Sequence, residues 1–330
     1  MWLSRPGTVE LREEPVPAPR SGEVTVETIV SAISHGTEML VYRGQVPEHL
    51  ELDLPTLRGS FRFPIKYGYA SVGRIVATGR ETPGLGEGDL VFVHHPHQDR
   101  YTVPGALAVP IPAGVSAEHA VLFANLETAV NVLLDAHPRL GDCAVVFGQG
   151  VVGLLSGLLL RRAGAEVVAT VDRYPLRRRV SAELVAPEAL EPGPGLAGRL
   201  RELSGGRGAD LALEASGSGE ALEPAIDCLG FQGTLVVCSW YGSKAVSLHL
   251  GDSFHRRRLR IVSSQVSALD PCLTPRWSRE RRRDLALRLL KEVPLGRLVT
   301  HRVPFREAEA AYRLIAERPE ETIQVVLTYG

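Results

Sequence analysis

Lysine and asparagine are scarce in this 330-residue chain. Of its 37 basic residues only Lys66, Lys244 and Lys291 are lysines, and asparagine occurs only at Asn125 and Asn131. The formal net charge is −1, so the chain has no excess of positive charge that would attract a polyanion. This balance argues against nucleic acid as a partner, and we interpret the runs of arginine as solvated surface.

Cysteine is also sparse, and long hydrophobic runs are missing. The four cysteines, at positions 143, 228, 238 and 272, lack the close spacing of a zinc knuckle. The longest apolar run, Ala144–Leu160, is shorter than the roughly 20 residues that a membrane span needs. The first residues show no basic region followed by an apolar one, as a signal peptide would. We therefore expect a cytoplasmic protein with reduced thiols and no membrane partner.

A chain of this length is expected to form two domains. Up to about residue 117 the sequence alternates apolar and polar residues between glycine- and proline-rich turns, which predicts an irregular, largely antiparallel β domain. From residue 118 strands alternate with helices, which predicts an α/β fold with a doubly wound parallel sheet. The predicted strands are 144–147, 167–171, 210–215, 234–238 and 259–264, and the predicted helices are 118–136, 151–163, 177–184 and 219–229.

The segment GQGVVG, residues 148–153, fits the pattern G-x-G-x-x-G between an apolar strand and an apolar helix. The first glycine allows a tight turn, the second lets a pyrophosphate approach the backbone, and the third lets helix and strand pack closely. The helix N-terminus then offers N–H groups to the phosphates. The pattern predicts a dinucleotide site formed by Gly148, Gln149, Gly150, Val151, Val152 and Gly153.

Asp172 ends the next predicted strand, 19 residues after Gly153. A carboxylate at this position accepts hydrogen bonds from the ribose hydroxyls of NAD and repels the additional phosphate of NADP. Arg173 leaves NADP open, since a guanidinium beside the acid can bind a 2′-phosphate. Because ligands bind beyond the carboxyl ends of parallel strands, further cofactor contacts are predicted at the ends of the later strands. These are Ala215, Ser216, Ser239 and Ser264.

The chain resembles the medium-chain dehydrogenase/reductase superfamily over nearly its whole length. Besides GQGVVG, the segments GTEMLVYRG (36–44), YGYASVGRIVATG (67–79) and GDLVFV (88–93) are similar to motifs of that family. SAISHGTE, HPHQDRY and FHRRRLRIVSSQV suggest the branch that includes bacteriochlorophyllide-type dehydrogenases. The resemblance implies an NAD(P)-dependent oxidoreductase acting on an alcohol or carbonyl substrate. It also implies a GroES-like catalytic domain (1–117), a Rossmann domain (118–292) and a C-terminal segment (293–330) that returns to the first domain.

The same resemblance implies further cofactor contacts and an oligomer. Arg177 matches a position that packs on adenine, and Thr128 is expected at the nicotinamide end. Family members pair through the edge strand of the Rossmann sheet, here residues 259–264, so a homodimer or homotetramer is expected.

The departures from the family concern zinc. Zinc-dependent members have cysteine where this chain has His35, and histidine and glutamate where it has Tyr69 and Ala70. Their third ligand falls near Ala124. Catalytic zinc needs three protein donors, so we predict no zinc at this position. The segment HHPHQD, with His94, His95, His97 and Asp99, leaves open a metal site elsewhere, although a solvated or substrate-facing loop is the preferred interpretation.

Without zinc, hydrogen-bond donors must polarise the carbonyl oxygen of the substrate. The hydroxyl that relays the proton in the family corresponds to Thr37, which as an alternative could simply cap a short helix. Tyr69 is the first candidate donor, or else a packed aromatic residue, and His35 is the second. His97, Gln98 and Tyr42 are the predicted substrate contacts.

Three other functions stay open at this point. The first is an NADPH-dependent quinone or enone reductase, and the second is a nucleotide-binding protein without activity. The third is a dehydrogenase that uses a metal at a non-standard site.

Overall fold

The computed structural model describes residues 1–52 and 54–330. The chain forms two compact units, one comprising Met1–Ala124 with Leu287–Gly330 and the other Asn125–Ala286. The sequence analysis placed the domain boundaries after residues 117 and 292.

Strands and helices have the following bounds. The strands are β1 (Trp2–Arg5), β2 (Thr8–Glu10), β3 (Glu23–Ile33), β4 (Ser71–Thr78), β5 (Leu90–Val93), β6 (Arg100–Pro104), β7 (Val109–Pro110), β8 (Cys143–Phe147), β9 (Glu166–Val171), β10 (Ala189–Leu190), β11 (Ala209–Glu214), β12 (Leu229–Val237), β13 (Arg260–Ser263), β14 (Val299–Pro304) and β15 (Gln324–Thr328). The α-helices are α1 (Thr37–Tyr42), α2 (Ala117–Ala120), α3 (Phe123–Ala136), α4 (Val151–Arg162), α5 (Pro175–Leu184), α6 (Leu196–Leu203), α7 (Leu222–Asp227), α8 (Arg279–Leu289) and α9 (Ala308–Glu317).

The first unit is built on a largely antiparallel sheet in the order β14-β15-β3-β4-β5-β7, with β6 also paired to β3. The long strand β3 lies at its centre because its buried valines, Val24 and Val26, face one core while Ile33 enters another. The C-terminal strand β15 pairs antiparallel with β3, with Val326 opposite Ala32. The end of the chain therefore completes the sheet of the first unit.

The second unit contains a six-stranded parallel sheet in the order β10-β9-β8-β11-β12-β13. Every residue of β8 is buried, as expected for a central strand of a sheet that is covered on both faces. The chain crosses from one half of the sheet to the other after β10, which is the strand order of a Rossmann fold. The predicted α/β class, with a doubly wound parallel sheet and a separate β-rich domain, is confirmed.

Several predicted elements need correction. The single helix expected over residues 118–136 is two helices, α2 and α3, and Ser116 caps the first by accepting a hydrogen bond from the His119 N–H at 3.2 Å. Strand β12 begins five residues earlier than predicted, because Gln232 adopts a positive φ of 62° and the register with β11 shifts there. The short elements β10 and α6 were not predicted.

Among the described residues, no helix combines the length and the apolar character needed to cross a membrane.

Candidate active site

The glycine-rich loop connects β8 to α4, and close packing explains two of its glycines. Gly148 has a φ of +87°, and a Cβ there would lie 2.4 Å from the backbone nitrogen of Ser216. A Cβ at Gly153 would lie 1.8 Å from the carbonyl oxygen of Gly148. A side chain at either position would therefore displace backbone, which is the packing role predicted for the first and third glycines.

Gly150 differs, because it faces open space. Among the described residues, the nearest atom to a Cβ built there is Nη1 of Arg177, at 3.9 Å. Gly150 has no side chain with which to cap α4, so the first-turn N–H groups of Val151 and Val152 are not covered by a capping side chain. An uncovered helix N-terminus behind a glycine that leaves space fits a pyrophosphate. The residues present therefore suit the dinucleotide that the motif implies.

Asp172 follows β9 and is 6% exposed. Its Oδ2 accepts the N–H of Gln149 at 2.6 Å and its Oδ1 accepts the N–H of Tyr174 at 2.8 Å. Because each carboxylate oxygen has a second lone pair, Asp172 can still accept hydroxyl groups of a ribose. The carboxylate thus ties the glycine loop to the end of the next strand and stays able to bind a sugar.

Two arginines lie beside this carboxylate. The guanidinium of Arg177 lies 4.8 Å from the ring centroid of Tyr174, and burial lowers the pKa of Arg177 while Asp172 opposes that shift. Arg173 donates a hydrogen bond to the Ser218 hydroxyl at 3.1 Å. Both positive charges therefore lie at the end of the cofactor site where a ribose or its phosphate would bind.

Gln149, which the motif predicts as part of the dinucleotide site, is bound on all sides by its own loop and its neighbours. Its side chain is fully buried, donates to the carbonyls of Val146 and Gly148, and accepts a hydrogen bond from the Ser181 hydroxyl. Its N–H already binds Asp172. These contacts support the loop from within, and the predicted contact of Gln149 with the cofactor stays a prediction.

The ends of the later strands carry a carboxylate that the sequence analysis missed. Glu214, the last residue of β11, is fully buried, and its Oε1 accepts the N–H and hydroxyl of Ser216 and the N–H of Gly217. The Ser239 hydroxyl also accepts from Gly217, at 2.9 Å. Glu214 therefore holds the turn after β11 that includes Ala215. The signal in the sequence was an acid at the end of an apolar strand.

The remaining predicted cofactor contacts, Ser264 and Thr128, both lie in the second unit. The Ser264 hydroxyl interacts with the carboxylate of Asp135 and lowers its pKa, while burial, the larger effect, raises it. Thr128 lies in α3. Ser264 is therefore already engaged with a half-buried acid within the protein.

In the first unit, three hydroxyl groups come together at the start of α1. Gly36, which has no side chain, is the N-cap of α1, so Thr37 is its first helical residue and does not cap it. The side chains of Ser34 and Thr37 both hydrogen-bond to the hydroxyl of Tyr69. The structure thus brings together Thr37 and Tyr69, which are 32 positions apart in the sequence.

The environment of Tyr69 keeps its hydroxyl protonated. Burial and, to a smaller extent, the charge of nearby Glu38 raise the pKa of Tyr69 to about 12, against the opposing hydrogen bonds of Ser34 and Thr37. His94 Nδ1 lies 3.1 Å from the backbone carbonyl oxygen of Tyr69. At neutral pH the hydroxyl is therefore a neutral group that can donate a hydrogen bond.

His35 lies beside β15, and its Nε2 accepts a hydrogen bond from the N–H of Val325 at 3.3 Å. In this arrangement Nε2 carries no proton, because it acts as the acceptor. His35 is therefore positioned by backbone, and its proton lies on the other ring nitrogen.

Two predicted substrate contacts, His97 and Tyr42, are buried inside the protein. His97 is fully buried, with Nδ1 2.6 Å from the Ser31 hydroxyl and Nε2 2.8 Å from the carboxylate of Glu38. Tyr42 is 8% exposed, and its hydroxyl donates to the carbonyl of Gly7. Both are corrected to internal residues, because their polar atoms are already bound within the protein. Gln98 is half-buried and donates to the carbonyl of Arg100.

The side chains at the zinc-ligand positions of the family do not form a zinc donor set. His35 is engaged with backbone, and Tyr69 and Ala70 replace the usual histidine and glutamate. Across residues 1–52 and 54–330, no three His, Cys, Asp or Glu side chains are grouped so as to hold a metal ion. His95 stacks on Tyr101 with ring centroids 3.6 Å apart, so the HHPHQD histidines have separate partners.

One family of known proteins matches part of this chain. A family model described as zinc-binding dehydrogenase matches residues 151–282, which lie mostly in the nucleotide-binding unit. The matched region does not include positions 35, 69, 70 or 124, where zinc ligands were considered. The name of the model therefore does not bear on those positions.

Two relatives match along almost the whole chain. D-guloside 3-dehydrogenase of Escherichia coli is 28% identical and aligns over 94% of this chain and 93% of its own. The 2-desacetyl-2-hydroxyethyl bacteriochlorophyllide A dehydrogenase of Cereibacter sphaeroides is 26% identical over 96% and 94%. Both are dehydrogenases, and the second belongs to the branch suggested by the sequence.

Solved structures match the complete fold. An alcohol dehydrogenase from Escherichia coli in complex with NADH superimposes with a TM-score of 0.79 at 20% identity, covering 99% of this chain and 98% of that one. A zinc-binding dehydrogenase from Sinorhizobium meliloti bound to NADP has a TM-score of 0.78 at 19% identity, with the same coverage. At 20% identity or less, these similarities show that this chain shares its fold with cofactor-bound dehydrogenases. These relatives, which are named as dehydrogenases, support an oxidoreductase activity and a place for this chain among the medium-chain dehydrogenases/reductases that its sequence resembles.

Proposed function

We propose that the protein is an NAD(P)-dependent alcohol dehydrogenase or carbonyl reductase that works without catalytic zinc. The observation that carries this proposal is the hydroxyl cluster of Ser34, Thr37 and Tyr69, in which Tyr69 stands where the zinc-dependent members of the family have a ligand histidine. Such a cluster supplies hydrogen-bond donors to a substrate oxygen, which is the role that the metal has in those relatives.

Each residue of the cluster has a distinct part in the proposed mechanism. The hydroxyl of Tyr69 donates to the substrate oxygen and stabilises the charge that develops there. In alcohol oxidation the Thr37 hydroxyl accepts the proton that the substrate hydroxyl releases and passes its own proton on toward solvent, because the raised pKa of Tyr69 makes that hydroxyl too weak an acid for the relay. His35, two positions before Thr37, is proposed as the secondary proton carrier. A bound nicotinamide supplies the hydride chemistry, which no side chain can provide.

We propose NAD as the preferred cofactor and NADP as the alternative. The proposal is supported by Asp172, whose carboxylate is held at the ribose end of the site by two backbone N–H groups. A fixed negative charge there repels a 2′-phosphate. Arg173 and Arg177 favour the alternative, because either can bind that phosphate.

The substrate class follows from the relatives rather than from a defined pocket. One relative is named D-guloside 3-dehydrogenase, and others are named sorbitol dehydrogenases. We therefore propose a small molecule with a secondary alcohol, and polyols and glycosides belong in the first substrate panel.

Binding and turnover are tested together on purified protein without a histidine tag. NADH and NADPH are titrated by fluorescence, and oxidation of the alcohol panel is followed by absorbance of the reduced cofactor. Zinc content is measured by mass spectrometry, before and after treatment with a chelator. We expect tighter binding of NADH, turnover of at least one secondary alcohol, and activity that does not depend on bound zinc.

Three results would contradict the proposal in different ways. Activity that is lost on chelation and restored by zinc would establish a metal-dependent enzyme. Turnover of quinones or enones with NADPH, and none with alcohols, would favour the reductase alternative. Tight binding of the cofactor without any turnover would favour a nucleotide-binding protein.

A further inference from the structure

A chain of buried hydrogen bonds lies behind α1 in the first unit. The Tyr329 hydroxyl lies 2.8 Å from the Ser31 hydroxyl, which lies 2.6 Å from Nδ1 of His97. Nε2 of His97 lies 2.8 Å from Oε2 of Glu38, and the Tyr312 hydroxyl donates to the same oxygen at 2.7 Å. This series of hydrogen bonds thus ends on the carboxylate of Glu38.

A serine, a histidine and an acid in this order are the atom types of a hydrolytic triad. A nucleophile, however, must reach its substrate. Ser31, His97 and Glu38 are each 0% exposed, and the Ser31 hydroxyl already contacts both His97 and Tyr329. The arrangement is therefore sealed within the protein, and its role has to be internal.

The carboxylate of Glu38 is the convergence point of three donors. Besides Nε2 of His97 and the hydroxyl of Tyr312, the backbone N–H of Ser34 donates to Oε1 at 2.9 Å. With Nε2 of His97 as donor and Nδ1 as acceptor from Ser31, every polar group in this series of hydrogen bonds has a partner. A buried carboxylate with three directed donors has one defined position.

Glu38 holds the same short segment that carries the hydrogen-bond partners of Tyr69. It follows Thr37 directly in α1, and its Oε1 binds the N–H of Ser34. The side chains of Ser34 and Thr37 are the two that bind the Tyr69 hydroxyl. Movement of Glu38 would therefore displace both partners of Tyr69 together.

We propose that Glu38 is a positioning residue of the reaction, which fixes residues 34–37 so that Ser34 and Thr37 hold the Tyr69 hydroxyl in place. His97 and Tyr312 support it by holding its carboxylate. This inference rests on the proposed function, in which Tyr69 donates to the substrate oxygen. The negative charge of Glu38 also favours the protonated form of Tyr69, which agrees with the raised pKa of that side chain.

A double-mutant cycle on the full-length protein tests the proposal. The variants are Glu38→Gln, Tyr69→Phe and the double variant, with Glu27→Gln as the control. Glu27 is an exposed carboxylate on β3 whose partner is Arg100, at 2.9 Å. The measurements are kcat and KM for the best alcohol, the Kd of NADH and the unfolding midpoint.

If Glu38 acts through Tyr69, its substitution lowers kcat in the wild-type background, by an expected factor of about ten or more. In the Tyr69→Phe background the same substitution changes kcat by less than about twofold, because its target has been removed. The Kd of NADH stays unchanged in all variants. The control variant retains wild-type kcat and KM.

The proposal is overturned if the effects of Glu38→Gln and Tyr69→Phe simply multiply, or if Glu38→Gln has full activity. If Glu38→Gln does not fold, Tyr312→Phe, which removes one donor to the same oxygen, replaces it in the cycle. Full activity of Tyr69→Phe, or a wild type without turnover, would reject the proposed function as well. An impaired Tyr69→Phe variant with independent effects rejects the positioning role alone.

Discussion

At the scale of single residues, the glycines of the 148–153 loop serve two different purposes, the packing of the protein and the binding of its ligand. A Cβ at Gly153 would meet the backbone oxygen of Gly148 at 1.8 Å, whereas one at Gly150 lies in open space except for Arg177. One glycine is thus required by the packing of the protein, and the other by its ligand. The two requirements can be separated by substitution.

We expect Gly150→Val to reduce NADH affinity by at least about tenfold, since the side chain occupies the space of the pyrophosphate. Its unfolding midpoint should stay close to that of the wild type, because the φ of −71° at Gly150 suits any residue. Gly153→Ala should instead lower the unfolding midpoint by several degrees. Fluorescence titration and thermal unfolding of both variants check this, and equal thermal stability of the two would contradict it.

His95 gives a residue-scale prediction about pH. It stacks on Tyr101, and burial lowers its pKa from 6.5 to about 4. Between these values the unfolded chain binds more protons than the folded one, so stability falls as the pH drops from 6.5 to 4. The loss attributable to His95 is at most about 3 kcal/mol.

Urea unfolding at pH 7 and pH 4.5 measures this effect. His95→Phe keeps an aromatic ring against Tyr101 and removes the titrating group, so its stability should fall less than that of the wild type over the same interval. An equal fall in both proteins would mean that other groups, such as carboxylates, cause the acid sensitivity.

At the scale of elements, a buried arginine joins α8 to α3. Arg282 is 4% exposed, its Nη1 donates to the Asn131 side chain at 2.6 Å, and its Nε lies 3.4 Å from the carboxylate of Glu127. Neighbouring Arg281 is exposed and lies over the ring of Trp277. In the sequence these arginines belong to one run, and their different roles could not be distinguished.

Arg282→Ala should destabilise the protein by about 3 kcal/mol or more, because it removes a charge partner from buried Glu127 and a donor from Asn131. Arg281→Ala should change the stability by less than about 1 kcal/mol. Chemical unfolding of both variants provides the comparison. Similar losses in the two variants would show that the buried contacts of Arg282 contribute little.

The bounds of a strand or helix could be predicted from the sequence where a single local pattern determines them. The apolar run of β8 and the glycines before α4 gave bounds within one residue, because neighbouring residues set both. The division between α2 and α3 was missed, since apolar spacing continues through residues 121 and 122 although the backbone turns. The early start of β12 depends on pairing with β11, a contact that no local pattern records.

At the scale of the whole molecule, we propose that the protein pairs through strand β13. Within the described part of the chain, β13 is the last strand of the six-stranded sheet, and Ile261 on it is 38% exposed. Phe231, on the neighbouring strand β12, is 67% exposed. Exposed apolar residues on an edge strand suit an interface between two copies.

Sedimentation velocity should show a dimer or tetramer for the wild type. Ile261→Lys should shift it toward the monomer, because pairing would bury the new charge. Leu140→Lys, at an 88% exposed position away from the sheet edge, is the matched control and should leave the assembly unchanged. A wild-type monomer, or an assembly that Ile261→Lys leaves intact, would contradict pairing through β13.

The sequence by itself determined the nucleotide-binding part of this protein, because strand, glycines, helix and acid lie within 30 consecutive residues and each acts locally. It also singled out Thr37 and Tyr69, through their places in motifs. Only the tertiary structure decided that Ser34, Thr37 and Tyr69 share one hydroxyl cluster, and that His97 is buried against Glu38. The reason is that Tyr312 of α9 and Tyr329, the residue after β15, come from the far end of the chain, and long-range packing leaves no signal in local spacing.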